Sequence, residues 1–141
     1  WGRATRESTE AGLDALLTRV RDAVPQASCL VVGPLDAVKG PRDDEAEPLR
    51  ARPLLPTVNA LERRVAFAHG CAFFDLYAAM GGAGSVRRFD EAGLMHEDLT
   101  HPRGRGLDVL GLLLSDAMME AYAEGDWLVD APLDPRLARS R

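Results

Sequence analysis

Ala27-Ser28-Cys29-Leu30-Val31-Val32-Gly33 is an unbroken apolar run with β-branched residues at its centre, closed by Gly33-Pro34. A run of this kind reads as a strand buried on both faces, and such strands belong to parallel sheets. Cys71-Ala72-Phe73-Phe74-Asp75 repeats the pattern and reads as a second buried strand. Parallel neighbours need a crossover, so the elements between and around the two runs decide the fold.

Upstream, Leu13, Leu16, Leu17, Val20 and Val24 stand at i, i+3, i+4, i+7 and i+11, with charged residues between them. This is the stripe of an amphipathic helix over Thr5 to Val24, stopped by Pro25. A second helix is expected from Thr57, with Val58, Leu61, Val65 and Ala68 on one face and Gly70 placed to end it. Residues 34 to 56, with five prolines and the run Arg42-Asp43-Asp44-Glu45-Ala46-Glu47, carry no sustained period and read as a long loop. Met80 to Ser85 reads as a flexible glycine-rich connection, followed by a short helix from Val86 to Glu91. A last helix is expected from about Gly104 to Tyr122, with Leu107, Leu110, Leu114 and Met118 facing inward.

The order helix, strand, helix, strand, helix is that of an α/β layered domain with right-handed crossovers. Two strands are too few for a free-standing doubly wound sheet, so further strands are expected upstream of Trp1. Residue 1 is Trp rather than Met, which fits a processed product or a segment of something longer. The domain is expected over residues 1 to 123, with 124 to 141 a flexible tail.

The composition narrows the function. With 17 basic and 22 acidic residues the formal charge is −5, the wrong sign for a protein that binds by neutralising phosphates. Nucleic acid is not an expected partner. No apolar run approaches the roughly 20 residues needed to span a bilayer. Only Lys39 among the basic residues is lysine, a bias that points to GC-rich coding more than to chemistry. Cys29 and Cys71 lie in apolar runs and read as buried thiols.

The densest chemistry lies in His96-Glu97-Asp98-Leu99-Thr100-His101-Pro102. A helical zinc site needs its histidines four apart, whereas His96 and His101 are five apart, so no metal is expected. Asp98 and His101 have the spacing at which a carboxylate in a turn can hold an imidazole Nδ1–H and aim Nε2 outward, the geometry of an oriented general base. The plain alternative is a surface turn with an exposed histidine. Ser85 is the best-placed hydroxyl, though a role in capping the following helix accounts for it. Cys71 beside His69 reads as a core thiol rather than a nucleophile. Gly81 to Gly84 with Arg87 and Arg88 lacks the Lys-Ser/Thr of a phosphate loop. Asp36 follows the first strand, where α/β proteins place site residues, and equally suits a loop cap.

The stretch Gly93-Leu94-Met95-His96-Glu97-Asp98-Leu99-Thr100-His101-Pro102, followed by Gly104 and Gly106, resembles the last block of the SGNH, or GDSL-type, ester hydrolases. Leu30-Val31-Val32-Gly33-Pro34-Leu35-Asp36, Arg63-Arg64-Val65-Ala66, Phe73-Phe74-Asp75-Leu76 and Ala79-Met80-Gly81-Gly82 extend the likeness over about residues 8 to 122. The pattern most resembles the branch containing peptidoglycan O-acetylesterases. The resemblance implies a three-layer, flavodoxin-like α/β/α domain with a parallel sheet, its N-terminal strands lying outside this chain. It also implies a periplasmic or extracellular setting, an acetylated carbohydrate or peptidoglycan-like substrate, and no cofactor.

By the same resemblance Asp98 orients the imidazole and His101 acts as general base, then as acid. The family's nucleophilic Gly-Asp-Ser does not occur in the chain, nor do its oxyanion-hole Gly and Asn blocks, and Leu107 replaces an aromatic residue. An N-terminal segment supplying those parts is the implied partner, and the isolated chain is expected to turn over little or nothing. The rival expectation is a non-catalytic binding module that uses the 34 to 56 loop.

Overall fold

In the computed structural model the described residues are 6–39 and 50–124. They form α1 (Arg6–Ala23), β1 (Leu30–Val32), β2 (Val38–Lys39), β3 (Arg50–Ala51), α2 (Leu55–Ala68), β4 (Ala72–Phe74), α3 (Leu76–Ala79), α4 (Ser85–Glu91) and α5 (Arg105–Glu124). β1 and β4 pair in parallel, with Leu30, Val31 and Val32 opposite Ala72, Phe73 and Phe74. The expected parallel α/β arrangement is therefore present. Within the segment expected to be loop, β2 and β3 add a small antiparallel pair. The acidic run at 42–47 lies outside the described residues.

α1 and α2 cover one face of the sheet. Leu17, Leu61, Val65, Ala66 and Cys71 are buried there, with Leu13, Cys29, Val31 and Phe73 packed against them. α2 starts at Leu55 rather than Thr57, because Pro56 suits the first turn of a helix, where its missing N–H is not needed. It ends as expected, His69 being the C-cap and Gly70 following with φ 65°.

The pair Cys29 and Cys71 corrects the expectation of buried thiols: they form a disulfide across 42 residues of sequence. The parallel register puts them side by side just ahead of Leu30 and Ala72, with Cα atoms 4.6 Å apart, inside the range a disulfide needs. Arg21 closes the same end. Its Nε donates to the His69 carbonyl at 2.9 Å, one terminal nitrogen to Ala27 at 2.8 Å and the other to Gly70 at 2.7 Å.

The opposite face of the sheet departs from the sequence reading. Leu30 and Val32 are exposed, so β1 is covered on one face only among the described residues. Leu16, Val20 and Val24 of the α1 stripe are also exposed, leaving Leu17 buried and Leu13 half-buried. In α5, Leu107 and Met118 are exposed rather than inward, while Leu110 and Leu114 are half-buried. Periodicity reports which residues share a face; whether that face meets another element is a tertiary fact. Met118, Ala121 and Tyr122 of α5 border a groove of about 420 Å³ with Ser28, Cys29, Leu30 and Ala72. None of the described helices is long and apolar enough to cross a membrane.

At the other end of the sheet a second, smaller core gathers Val38, Val86, Met95 and Leu99, with Phe89 against it. The Met80–Ser85 connection is a series of hydrogen-bonded turns. α3 precedes it, Gly81, Gly82 and Gly84 take positive φ, and Ser85 already opens α4.

Candidate active site

The site is a closed loop between α4 and α5. Gly93, with φ 71°, reverses the chain after α4. Met95 and Pro102 then form an antiparallel bridge, tied by His96 N–H to the His101 carbonyl at 2.8 Å and Arg103 N–H to the Leu94 carbonyl at 2.9 Å. Gly106 in the first turn of α5 lies so close to the Leu94 carbonyl that a Cβ there would collide with it.

Inside the loop Leu99 has φ 50°, a left-handed conformation for a non-glycine residue, and its side chain is buried. Left-handed strain of about 1–3 kcal/mol is offset by burial of a leucine side chain, worth about 1.5–3 kcal/mol. This inward turn at Leu99 leaves Asp98 and His101 outside, on the same side of the loop.

Asp98 is satisfied at both oxygens. Its Oδ1 accepts the backbone N–H groups of Thr100 and His101, each at 3.0 Å, and Oδ2 contacts His101 Nδ1 at 2.6 Å. Thr100 Oγ1 donates back to the Asp98 carbonyl at 3.1 Å. The hydrogen bond with His101, followed by those from the two amides, holds the Asp98 carboxyl well below the usual carboxylate range. An ionised carboxylate can only accept, so the short contact places a proton on Nδ1, and in the neutral ring the lone pair is then on Nε2. The His101 side chain is 73% exposed, and that lone pair is open to a substrate.

The surrounding cleft, of about 510 Å³, is lined by His96, Glu97, Asp98, His101 and Arg103. Arg103 Nε donates to the Gly93 carbonyl at 3.1 Å. No Ser, Thr or Cys is among these lining residues.

The other candidates fall elsewhere. Ser85 is fully buried, and its hydroxyl points to Asp36 Oδ2 at 3.3 Å. Asp36 accepts the Val86 N–H at 3.0 Å and so caps α4 from a distance, one of the two roles its position suggested. Cys71 is in the disulfide, which removes it as a nucleophile, and His69 pairs with Asp14 at 2.8 Å. Among the described residues no group of three or more His, Cys, Asp or Glu side chains could hold a metal ion. Sequence reasoning gave no role to Gly106 or to the buried Leu99. Gly106 stands two residues after Gly104, and that spacing was the available signal.

An α/β layered fold with a parallel strand pair and a histidine–aspartate loop ahead of its last helix is similar in fold to a known esterase. The likeness has a solved example: a peptidoglycan O-acetylesterase structure superposes with a TM-score of 0.75 and 23% sequence identity, over 87% of this chain. The match covers 34% of the esterase chain, so this chain spans about a third of its length. No protein-family model and no curated protein matches the sequence.

Proposed function

We infer that this chain provides the base and orienting half of a serine-type ester hydrolase acting on O-acetyl groups of a carbohydrate polymer such as peptidoglycan. Residues 1 to 123 are then the C-terminal portion of the hydrolase domain, with the serine and the oxyanion donors supplied from outside these 141 residues. The observation that carries this reading is the 2.6 Å contact between Asp98 Oδ2 and His101 Nδ1, with the imidazole otherwise exposed. The solved acetylesterase fold and the family resemblance of residues 93 to 102 support it.

In this mechanism His101 Nε2 takes the serine proton as Oγ attacks the ester carbonyl. Asp98 holds the ring and stabilises the imidazolium that forms. The tetrahedral intermediate collapses, the C–O bond to the sugar breaks, and His101 returns the proton to the leaving alkoxide. Water, deprotonated by the same nitrogen, then releases acetate from the acyl-serine. The steps call for no cofactor. The Cys29–Cys71 disulfide supports an oxidising, extracytoplasmic setting.

The test is acetate release from O-acetylated peptidoglycan, alongside 4-nitrophenyl acetate hydrolysis. Both are measured on the product of the complete reading frame and on the 141-residue chain. The complete product is expected to turn over, and His101→Ala and Asp98→Asn in it to lose roughly 10⁴-fold in kcat. The 141-residue chain is expected to show no more activity than its own His101→Ala variant. An inactive complete product, or full activity after His101→Ala, would exclude the reading.

A further inference from the structure

Asp36 is 1% exposed, four residues beyond the end of β1. Its Oδ2 accepts both the Val86 N–H and the Ser85 hydroxyl, and Oδ1 has no partner among the described residues. Ser85 and Val86 are themselves fully buried. A carboxyl group so placed is a poor source of stability, because an apolar side chain would avoid the desolvation and the unmet oxygen. What it supplies is direction: hydrogen bonds fix an orientation that apolar packing leaves looser.

The orientation fixed is that of the first turn of α4. The N-cap residue of that helix is Gly84, which offers no side-chain hydrogen bond, so Asp36 provides the cap from 50 residues away. Val86, held by this bond, packs in one cluster with Met95 and Leu99. Met95 forms one side of the bridge that closes the site loop, and Leu99 lies between Asp98 and Thr100. Asp36 thus ties the segment after β1 to the loop carrying Asp98 and His101, through two hydrogen bonds and one layer of packed side chains.

We propose that Asp36 is a positioning residue: acting through Val86 and Leu99, it sets the orientation of Asp98 toward His101. Being buried, it meets no substrate. Its place in catalysis rests on the reading of His101 as the base, while the geometry it controls can be measured without turnover.

The experiment is NMR on the oxidised 141-residue chain. Two-bond ¹H–¹⁵N spectra of the imidazole read the His101 tautomer, and amide exchange reads the loop. In the wild type His101 is expected as the Nδ1–H tautomer. In Asp36→Ala the tautomers are expected to mix, with Thr100 and His101 amides exchanging about tenfold faster or more, while α2 and β4 amides keep their protection. Asp36→Asn, whose Oδ1 can still accept the Val86 N–H, is expected to restore both signatures. Should Asp36→Ala fail to fold, Val86→Ala decides by the same two readouts. An unchanged His101 tautomer in the folded variant overturns the proposal. So does loss of protection in α2 and β4 that parallels the loop. If the complete product proves inactive while these shifts occur, the reading of His101 fails and the positioning geometry stands.

Discussion

The two ends of the β1–β4 pair are held by different physics. At the amino end the Cys29–Cys71 bond, the Arg21 guanidinium on the carbonyls of His69, Ala27 and Gly70, and the larger core under α1 and α2 all converge. At the carboxyl end a smaller core and directional polar bonds do the holding: Asp36 on α4, and Asp98 on its own loop. The exposed imidazole is found at this second end, where α/β domains place their chemistry. A base that must meet a substrate cannot be packed into position. It is aimed by short hydrogen bonds while the other end carries the stability.

The disulfide tests that division most severely. Closing a loop of 42 residues removes unfolded-state entropy worth about 4 kcal/mol on the chain-entropy estimate, a large share of the stability of a small domain. Reduction, or Cys29→Ala with Cys71→Ala, is expected to lower the urea midpoint by a corresponding amount. A midpoint that does not move would place the stability elsewhere and erase the contrast between the ends.

Gly106→Ala probes the other end. The added methyl would meet the Leu94 carbonyl, with Pro102 Cβ at 3.2 Å beside it, so α5 must move away from the bridge that closes the loop. A cost of about 1–3 kcal/mol is expected. Loss of amide protection at Arg103, whose N–H bonds Leu94, should exceed any loss in α2. Equal losses at both ends would show the two to be one cooperative unit.

What the sequence made legible follows the same line. The parallel strand pair was readable from two apolar runs, the end of α2 from Gly70, and α5 to within about two residues, because each is a local pattern. The Asp98–His101 contact was readable for the same reason, since only Leu99 and Thr100 separate the partners within one turn. The disulfide was not, because the pairing of Cys29 with Cys71 depends on a register that forms only when β1 meets β4. Nor was the cap that Asp36 gives Val86, which joins positions 50 apart. The exposure of Leu30, Val32, Leu107 and Met118 was misjudged, since hydrophobicity marks a face that could be covered and says nothing of the element that would cover it.

The smallest effect on stability is expected from acid, and it discriminates well. The Asp98 carboxyl is held below its ordinary value of 3.8 first by the hydrogen bond with His101, then by the two amides. A carboxyl depressed on folding contributes stability that is present in full above its unfolded value and is lost as pH falls through the folded one. The Asp98 contribution should therefore be constant between pH 7 and about pH 5 and be lost only below the ordinary carboxylate range, on the order of pH 4 and under. The disulfide end, held by the Cys29–Cys71 bond and the Arg21 hydrogen bonds, should hold its amide protection through the same interval. Carboxyl ¹³C shifts of Asp98 give the titration directly, and a midpoint at 3.8 or above would show that the 2.6 Å contact does not persist in solution. Asp98→Asn is the companion: if the amide oxygen keeps the two backbone N–H groups, its NH₂ faces His101 and demands a lone pair on Nδ1. The imidazole proton is then driven to Nε2, so the loop can keep its shape while the base loses the lone pair on which it acts.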